Sequence, residues 1–565
     1  MPLRKLSPDA KLFPALVLLA LALYAPILGV FFSLDDFEFL LRASGQEPWP
    51  DGIRRILSTR LFFSAAWGLF AERAELYHLT QLLLHLASSW MIILIARRLK
   101  LVAMAGVTAA ALFLVTPVAF TSLHWISGIQ ELSMAYFALL AAWLALGKGL
   151  KSAVLSLIAF AAALLCKESA ALLLPAMAML LPGDRLRRLL LGAGGLVMAA
   201  ILLTLVGAFT PKFSGDPYET GYGMNLLWNL LSYLAWLARP WDYFPDRVPQ
   251  FQKSLAPWGL VLPAAALFAY LKFKSARASI LKVAAIFLLL LLPVLPLLRH
   301  SYLYYLYLPL VPLWLLLGEG LSRASVARKW ILLVSVSLIA LGSSWLASER
   351  RHAELGGGLL EDPMIRYAQL AENAVESATE SESAPEGDML ILVPFLGESQ
   401  TLGDRLRDLE GGQKVQFLPV DRALLAGRAL RLFFPKVNHV EFAYEVPTDD
   451  KWRSQHIWWT FGQGQLGVLG FGEQGRHALA RLLFEKGEPT RAAHEIQALL
   501  NLHPDDANLL YDLGRLELAA QNSEKAFEIL KRLETMASHE SADDNLKRAH
   551  LDLQKLYQTH LGKAP

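Results

Sequence analysis

Two adjacent carboxylates, Asp35 and Asp36, stand at the end of an uncharged 21-residue stretch, Leu12–Phe32. Adjacent carboxylates repel, and apolar surroundings raise the proton affinity of one of them. A carboxylate tuned in this way is matched to taking a proton from a hydroxyl near neutral pH. Other polar residues also gather at the borders of apolar runs, where charge is costly and is usually functional or paired. They are His78 with Gln81 and His85 at i+3 and i+7, then His124, Trp125 and Glu131, then Lys167 and Glu168, and finally Arg299, His300 and Tyr302 with Tyr304, Tyr305 and Tyr307. Each has a plainer use. Asp36 is placed to cap a short helix, Phe37–Arg42. His78 and His85 suit hydrogen bonds between helices. Lys167 and Glu168 suit the wet tip of a hairpin, Arg299 a snorkelling helix end, and Tyr304 and Tyr307 an aromatic belt. A divalent cation stays open on Asp35 and Asp36, although no full set of oxygen ligands is visible. No His-x-x-x-His or paired-cysteine motif occurs, and Ser169 has no base at a recognised spacing. Gly462-x-Gly464-x-x-Gly467 follows Trp458-Trp459 and opens no helix, so it is set aside as a nucleotide loop.

The elements that must position these residues are apolar. The 565-residue chain is 55% hydrophobic and 18% charged, and the apolar excess lies between Met1 and about Ala347. This excludes a soluble globule, a disordered chain and, with Cys166 the sole cysteine, a disulfide scaffold. The net charge of +3 argues against a nucleic-acid partner. Eleven uncharged runs approach the length of a membrane span: Leu12–Phe32, Leu76–Ala96, Leu101–Leu123, Leu132–Gly147, Ser152–Cys166, Ser169–Gly183, Leu189–Thr210, Leu255–Leu271, Val283–Leu298, His300–Gly318 and Trp330–Ala347. The first has no small-residue cleavage site after it and reads as a retained helix. With the N-terminus in the cytoplasm, the inner loops hold 18 Lys and Arg in 46 positions and the outer loops 11 in 98. That bias orients the chain. Asp35, His78, His124, Lys167 and Arg299 then all fall on the outer side, and the tail is extracytoplasmic. Asn225–Ala238, with Trp228, Tyr233 and Trp236, reads as an interfacial or re-entrant helix.

The tail divides into three. Residues 348–388 are rich in Glu, Ser, Ala and Gly and read as a partly helical linker. Residues 389–474 carry strand-like runs, Met389–Phe395, Val415–Val420 and Val440–Val446, with Arg422–Phe433 as a helix among them, and read as a small α/β module. Residues 475–565 repeat with a period of 34: Leu479, Ala492, Ile496 and Leu499 recur as Leu513, Ala526, Leu530 and Leu533. That period resembles the tetratricopeptide repeat, with Ala542–Tyr557 as a capping helix. Repeats of this kind bind protein surfaces, and two units are expected to lean on the preceding module. The expected architecture is an α-helical polytopic membrane protein of about eleven transmembrane helices, residues 1–347, with an extracytoplasmic tail of small α/β module and repeats.

Leu34-Asp35-Asp36-Phe37 after the first span resembles the first external loop of type C polytopic glycosyltransferases, where an Asp-Asp or Asp-Glu pair follows the first helix. Tyr77-His78-Leu79-x-x-Leu82-Leu83-Leu84-His85 is similar to the second helix of the transmembrane and tetratricopeptide-repeat O-mannosyltransferases, which usually have Asn where Gln81 stands. His124-Trp125-Ile126-Ser127-Gly128, Cys166-Lys167-Glu168-Ser169 with Pro175, and Arg299-x-x-Tyr302-Leu303-Tyr304 with Pro309 resemble later segments of that family, and the chain also resembles the dolichyl-phosphate-mannose–protein mannosyltransferases. The resemblance implies transfer of a sugar from a polyprenyl-phosphate-linked donor to a hydroxyl of a protein or glycan. It places that reaction on the outer face of the cytoplasmic membrane, with inversion, and implies no certain cofactor. It makes Asp35 the general base and Asp36 an orienting group, with Lys167 and Arg299 at the donor phosphate. His78, His85, His124, Trp125, Glu131, Glu168, His300 and Tyr302 would line the substrate site, and the repeats would hold the acceptor. Two other classes stay open: a polymerase or ligase of lipid-linked glycans, and a non-enzymatic membrane scaffold or transporter with a repeat tail.

Overall fold

The computed structural model describes residues 13–180, 185–207, 216, 218–242, 257–356, 358–393, 419–539 and 542–562. The basic residues Arg4, Lys5 and Lys11, most of the Val415–Val420 run and much of the loop between spans seven and eight lie outside the described residues. The rest forms two compact units. One holds the described residues up to Glu372 together with 419–428, and the other holds 373–393 and the residues from Ala429 onward.

The first unit is helical and membrane-spanning, and the described part of each of the eleven apolar runs falls on a helix. Among the described residues six are long and apolar enough to cross a membrane: Ala74–Arg98, Ile126–Ala145, Gly149–Cys166, Arg185–Leu205, Lys274–Val294 and Arg328–Arg351. A seventh span is the pair Ala103–Leu114 and Pro117–His124, bent by 43°. The bend has a local cause, since Pro117 lacks an amide hydrogen and forces Thr116 into an extended conformation. The expected eleven spans thus resolve into seven of spanning length and four shorter apolar helices: Pro14–Gly29, Glu168–Ala178, Pro257–Lys272 and Leu310–Ser322. Prolines shape several of these. Pro26 turns the end of the first helix into 3-10 geometry over Ala25–Gly29, and Pro175 lies within the short helix Leu173–Ala178. The longest of the buried helices, Ala74–Arg98, carries Glu75 in its first turn and Arg97 and Arg98 in its last, as the helix dipole favours. Close crossings use small residues: a Cβ on Gly318 would lie 2.4 Å from the Ala105 carbonyl oxygen. The helix Met224–Ala238 is buried along Asn229, Ser232, Tyr233 and Trp236.

The stretch read as a linker is structured. It holds a short antiparallel hairpin of β1 (Glu354–Gly356) and β2 (Leu359–Leu360), then an 18-residue helix, Pro363–Glu380. Met364, Ala368, Ala371, Val375 and Ala378 give that helix its buried face, and alanine is weakly apolar enough to be read as linker composition.

In the second unit β3 (Gly387–Leu392), β4 (Val437–Ala443), β5 (Gln455–Thr460) and β6 (Leu466–Phe471) form a mixed sheet in the order β4-β3-β5-β6. β3 is parallel to both β4 and β5, and β6 is antiparallel to β5. The glycines Gly462 to Gly467 lie in the β5–β6 turn and the start of β6. Repeat helices Gly472–Glu485 and Pro489–Leu502 are followed by Ala507–Ala519 and Ser523–Ala537, and Asp544–Leu561 closes the array. Leu390, Leu392, Trp452, Ile457 and Trp459 of the sheet module share one core with the repeat leucines. The buried Arg476–Glu495 pair (2.7 Å) lies against Trp452 and joins the two at their border.

Candidate active site

The Asp35–Asp36 pair opens a nine-residue helix, Asp35–Ala43, whose acidic first turn suits the positive end of the helix dipole. The two carboxylates have opposite environments. Asp36 is fully buried. Its Oδ2 accepts from the Ser33 backbone N–H (3.0 Å), and its Oδ1 accepts from the Ser127 backbone N–H (2.7 Å) and the Ser127 hydroxyl (2.5 Å). Asp36 is therefore more than a local cap, because it clamps the loop after the first helix to a segment 91 residues away. Burial pushes its pKa up to about 7 against the pull of these hydrogen bonds. Asp35, one position earlier, is exposed. Desolvation by its surroundings and the nearby Glu38 raise its pKa above the usual carboxylate range, while Arg55 and Arg428 oppose the rise. With both Asp36 oxygens engaged, the pair does not fit a chelated cation. Among the described residues no group of three or more His, Cys, Asp or Glu is placed to hold a metal ion.

The backbone under this pair is strained. Leu34 has φ +51°, a conformation that non-glycine residues rarely adopt. On the opposing segment Gly128 is required, because a Cβ there would lie 2.6 Å from the backbone of Ser122. Asp36 and Ser127 thus hold a turn that would otherwise relax, and Asp35 projects from it.

A second cluster lies around Lys167 and Glu168. Lys167 Nζ is 2.8 Å from Glu131 Oε2, with both side chains almost fully buried, and it lies over the rings of Tyr304 and Tyr305. Glu168 accepts from Arg55 Nε (2.8 Å), Arg55 Nη2 (2.9 Å) and Arg54 Nη2 (3.0 Å). Arg55 Nη1 also donates to Gln130 Oε1 (3.0 Å) and the Tyr218 hydroxyl (3.3 Å). His300 packs on Tyr218 and Tyr302, at 4.4 and 4.5 Å between ring centroids. The loop carrying Arg54 and Arg55 is itself fastened: Ser58 donates to the Cys166 carbonyl (2.7 Å) and Thr59 to the Arg55 carbonyl (2.8 Å). Arg55, like Leu34, has a positive φ, +53°.

The fold thus gathers Glu131, Lys167, Glu168, His300 and Tyr302, and the charge of Arg55 reaches Asp35. Other expected site residues lie elsewhere. His78 is buried, with Nδ1 donating to the Leu123 carbonyl (2.9 Å). His85 bridges the Tyr307 hydroxyl and the Leu114 carbonyl. His124 bonds the Phe120 carbonyl and stacks on the Phe120 ring. His78 and His85 fasten helices together, whereas His124 bonds within its own short helix; Gln81 also links segments by donating to the carbonyls of Ser122, Trp125 and Ile126. Trp125 is half-buried beside the Ser127 clamp. Arg299 is 58% exposed and reaches Glu219 only at 3.9 Å, so it stands at the rim. Sequence reasoning passed over Arg54, Arg55, Gln130 and Tyr218. A signal for the arginines existed: two adjacent Arg run against the expectation, from the basic bias, that their loop lies outside.

Residues 477–541 match the tetratricopeptide repeat family. No curated protein sequence matches the chain. Two solved structures are similar to it in part. One is the arabinofuranosyltransferase AftD from Mycobacteria, at 18% identity and a TM-score of 0.40 over 72% of this chain and 31% of that one. The other is the oligosaccharyltransferase of Archaeoglobus fulgidus, at 11% identity and a TM-score of 0.39 over 72% of this chain and 64% of that one. The chain covers less than two thirds of the length of either.

Proposed function

We propose that this multi-pass membrane protein is a glycosyltransferase that moves a sugar from a polyprenyl-phosphate-linked donor to a hydroxyl acceptor, protein or glycan, at the extracytoplasmic face of the cytoplasmic membrane. The observation that carries this reading is the division of labour in the Asp35–Asp36 pair. One carboxylate is locked and buried. The other is exposed on a strained turn and shares its electrostatic surroundings with a basic cluster. In this reading Asp35 accepts the proton of the acceptor hydroxyl as its oxygen attacks the anomeric carbon. The bond from that carbon to the phosphate oxygen breaks with its electron pair staying on the phosphate. Attack from the face opposite the phosphate inverts the centre. Lipid phosphate is already a fair leaving group, so the cluster needs to supply fixed positive charge. Lys167, neutralised in part by Glu131, contributes from inside, and Arg299 stands at the rim. Asp36 positions Asp35. The repeats hold the acceptor.

The test is mass spectrometry of glycoproteins and glycolipids from a deletion strain beside wild type. Loss of one sugar from a defined hydroxyl, restored by the wild-type gene and not by Asp35→Asn, supports the reading. Restoration by Asp35→Asn would favour a scaffold.

A further inference from the structure

Glu168 is held as an anionic ligand would be. Its carboxylate receives three guanidinium N–H bonds, two of them from the Arg55 fork. That fork fits carboxylate and phosphate oxygens alike. The cluster holds three cations, Arg54, Arg55 and Lys167, against two carboxylates, Glu131 and Glu168. The Lys167–Glu131 pair is enclosed, at 7% and 2% side-chain exposure. The Arg54–Glu168 pair is open, at 42% and 23%. Arg55 would remain held if Glu168 moved away, since Gln130, Tyr218 and the Ser58–Cys166 bond do not involve that carboxylate.

We propose that Arg54 and Arg55 form the seat of the donor lipid's phosphate, and that Glu168 occupies this seat as an internal anion which the phosphate displaces. The inference rests on the glycosyltransferase reading and adds residues to it. It fits the charge change of the reaction. The donor is a phosphodiester with one negative charge, and the departing polyprenyl phosphate is a monoester that gains a second. Two arginines stabilise the product-like charge more than the ground state, as catalysis requires. Glu168 then re-enters the seat and helps to expel the product.

The experiment measures binding of sugar-free polyprenyl phosphate to the full-length protein in lipid nanodiscs, with inorganic phosphate as a parallel probe and sugar transfer assayed in the same preparation. Glu168→Gln removes the competing charge and should tighten polyprenyl phosphate by roughly three- to tenfold, because an occupied seat lowers apparent affinity by the fraction that is free. Arg54→Gln, whose head group is partly exposed, should weaken binding by a similar factor. Unchanged or weaker binding by folded Glu168→Gln overturns the proposal. If Glu168→Gln does not fold, unchanged affinity in Arg54→Gln overturns it. Inorganic phosphate binding as tightly as the lipid would make this a free-phosphate site and would also overturn it. A wild-type protein that transfers sugar while Glu168→Gln binds no tighter sinks the seat and spares the function. A wild-type protein that neither binds polyprenyl phosphate nor transfers sugar sinks both.

Discussion

The loop after the first helix and the repeat array treat backbone strain in opposite ways. In the turns between paired repeat helices the positive-φ positions are Gly487 and Gln521, 34 residues apart. Each lies two residues beyond a helix end, where a left-handed residue ordinarily closes the last turn. Two of the array's helices also carry ordinary side-chain caps: Asp506 accepts from Asn508 N and Leu509 N, and Asp543 from Leu546 N. Between the first helix and Ala74–Arg98, Leu34, Arg55 and Ala71 take positive φ. Two of them support the exposed carboxylate and the carboxylate-binding fork, and Tyr77 bonds the Ala71 carbonyl (2.9 Å) at the third. Strain of this kind persists only where surrounding contacts over-determine it, and it clusters at functional sites. Between its helices the array puts left-handed residues where helix ends call for them. The loop puts them where chemistry is proposed.

The contrast is broken most severely at Asp36. Asp36→Ala leaves the Ser33 and Ser127 N–H groups buried without acceptors, at about 1–3 kcal/mol each. Leu34 is then free to relax. Turnover should fall by about 10²-fold, the scale of a misplaced reacting group, together with a lower thermal midpoint. A variant with a lowered midpoint and normal turnover would make Asp36 purely structural.

A smaller effect is expected from Gly514→Val in the array. A Cβ at Gly514 would lie 2.4 Å from Leu553 Cδ2, so the closing helix Asp544–Leu561 should loosen at a cost of about 1–3 kcal/mol. Hydrogen exchange should rise in that helix. Transfer to the natural acceptor should fall several-fold while donor hydrolysis stays unchanged. Parallel loss of both activities would contradict the division between loop and array.

The smallest effect sharpens the electrostatics of Asp35. Its pKa is raised, so a base mechanism places the acid limb of kcat/KM above the usual carboxylate range, with activity lost as pH falls through it. Arg428→Gln removes a cation that favours the ionised form and should move the limb to higher pH. Glu38→Gln removes an anion that disfavours it and should move the limb lower. Each shift should be a few tenths of a pH unit, as for a partly screened charge. A limb that ignores both substitutions belongs to another group.

What the sequence made legible was periodic or compositional. Eleven apolar runs fall on eleven helices, single or bent, because burying backbone in lipid requires helices, and the 34-residue period is visible in Leu479 and Leu513. What it hid was non-local. That Asp36 would find Ser127, or Arg55 find Glu168 across 113 residues, follows from helix packing and leaves no trace in spacing. His78 and His85 were visible as polar residues on one helical face. Only their carbonyl partners on neighbouring segments reveal that they fasten helices. Arg54 and Arg55 were visible too, as charges in a loop that the basic bias assigns to the side expected to hold few.

The central claim is that Asp35 is the base and Asp36 its holder. The direct measurement is turnover by purified Asp35→Asn in nanodiscs with polyprenyl-phosphate sugar and acceptor. The substitution keeps the shape of the side chain and removes its proton affinity. Turnover should fall by about 10²–10⁴-fold, the usual worth of a general base, with donor binding and thermal midpoint close to wild type. Turnover within a few-fold of wild type would remove Asp35 as the base and leave the strained loop without the chemistry assigned to it.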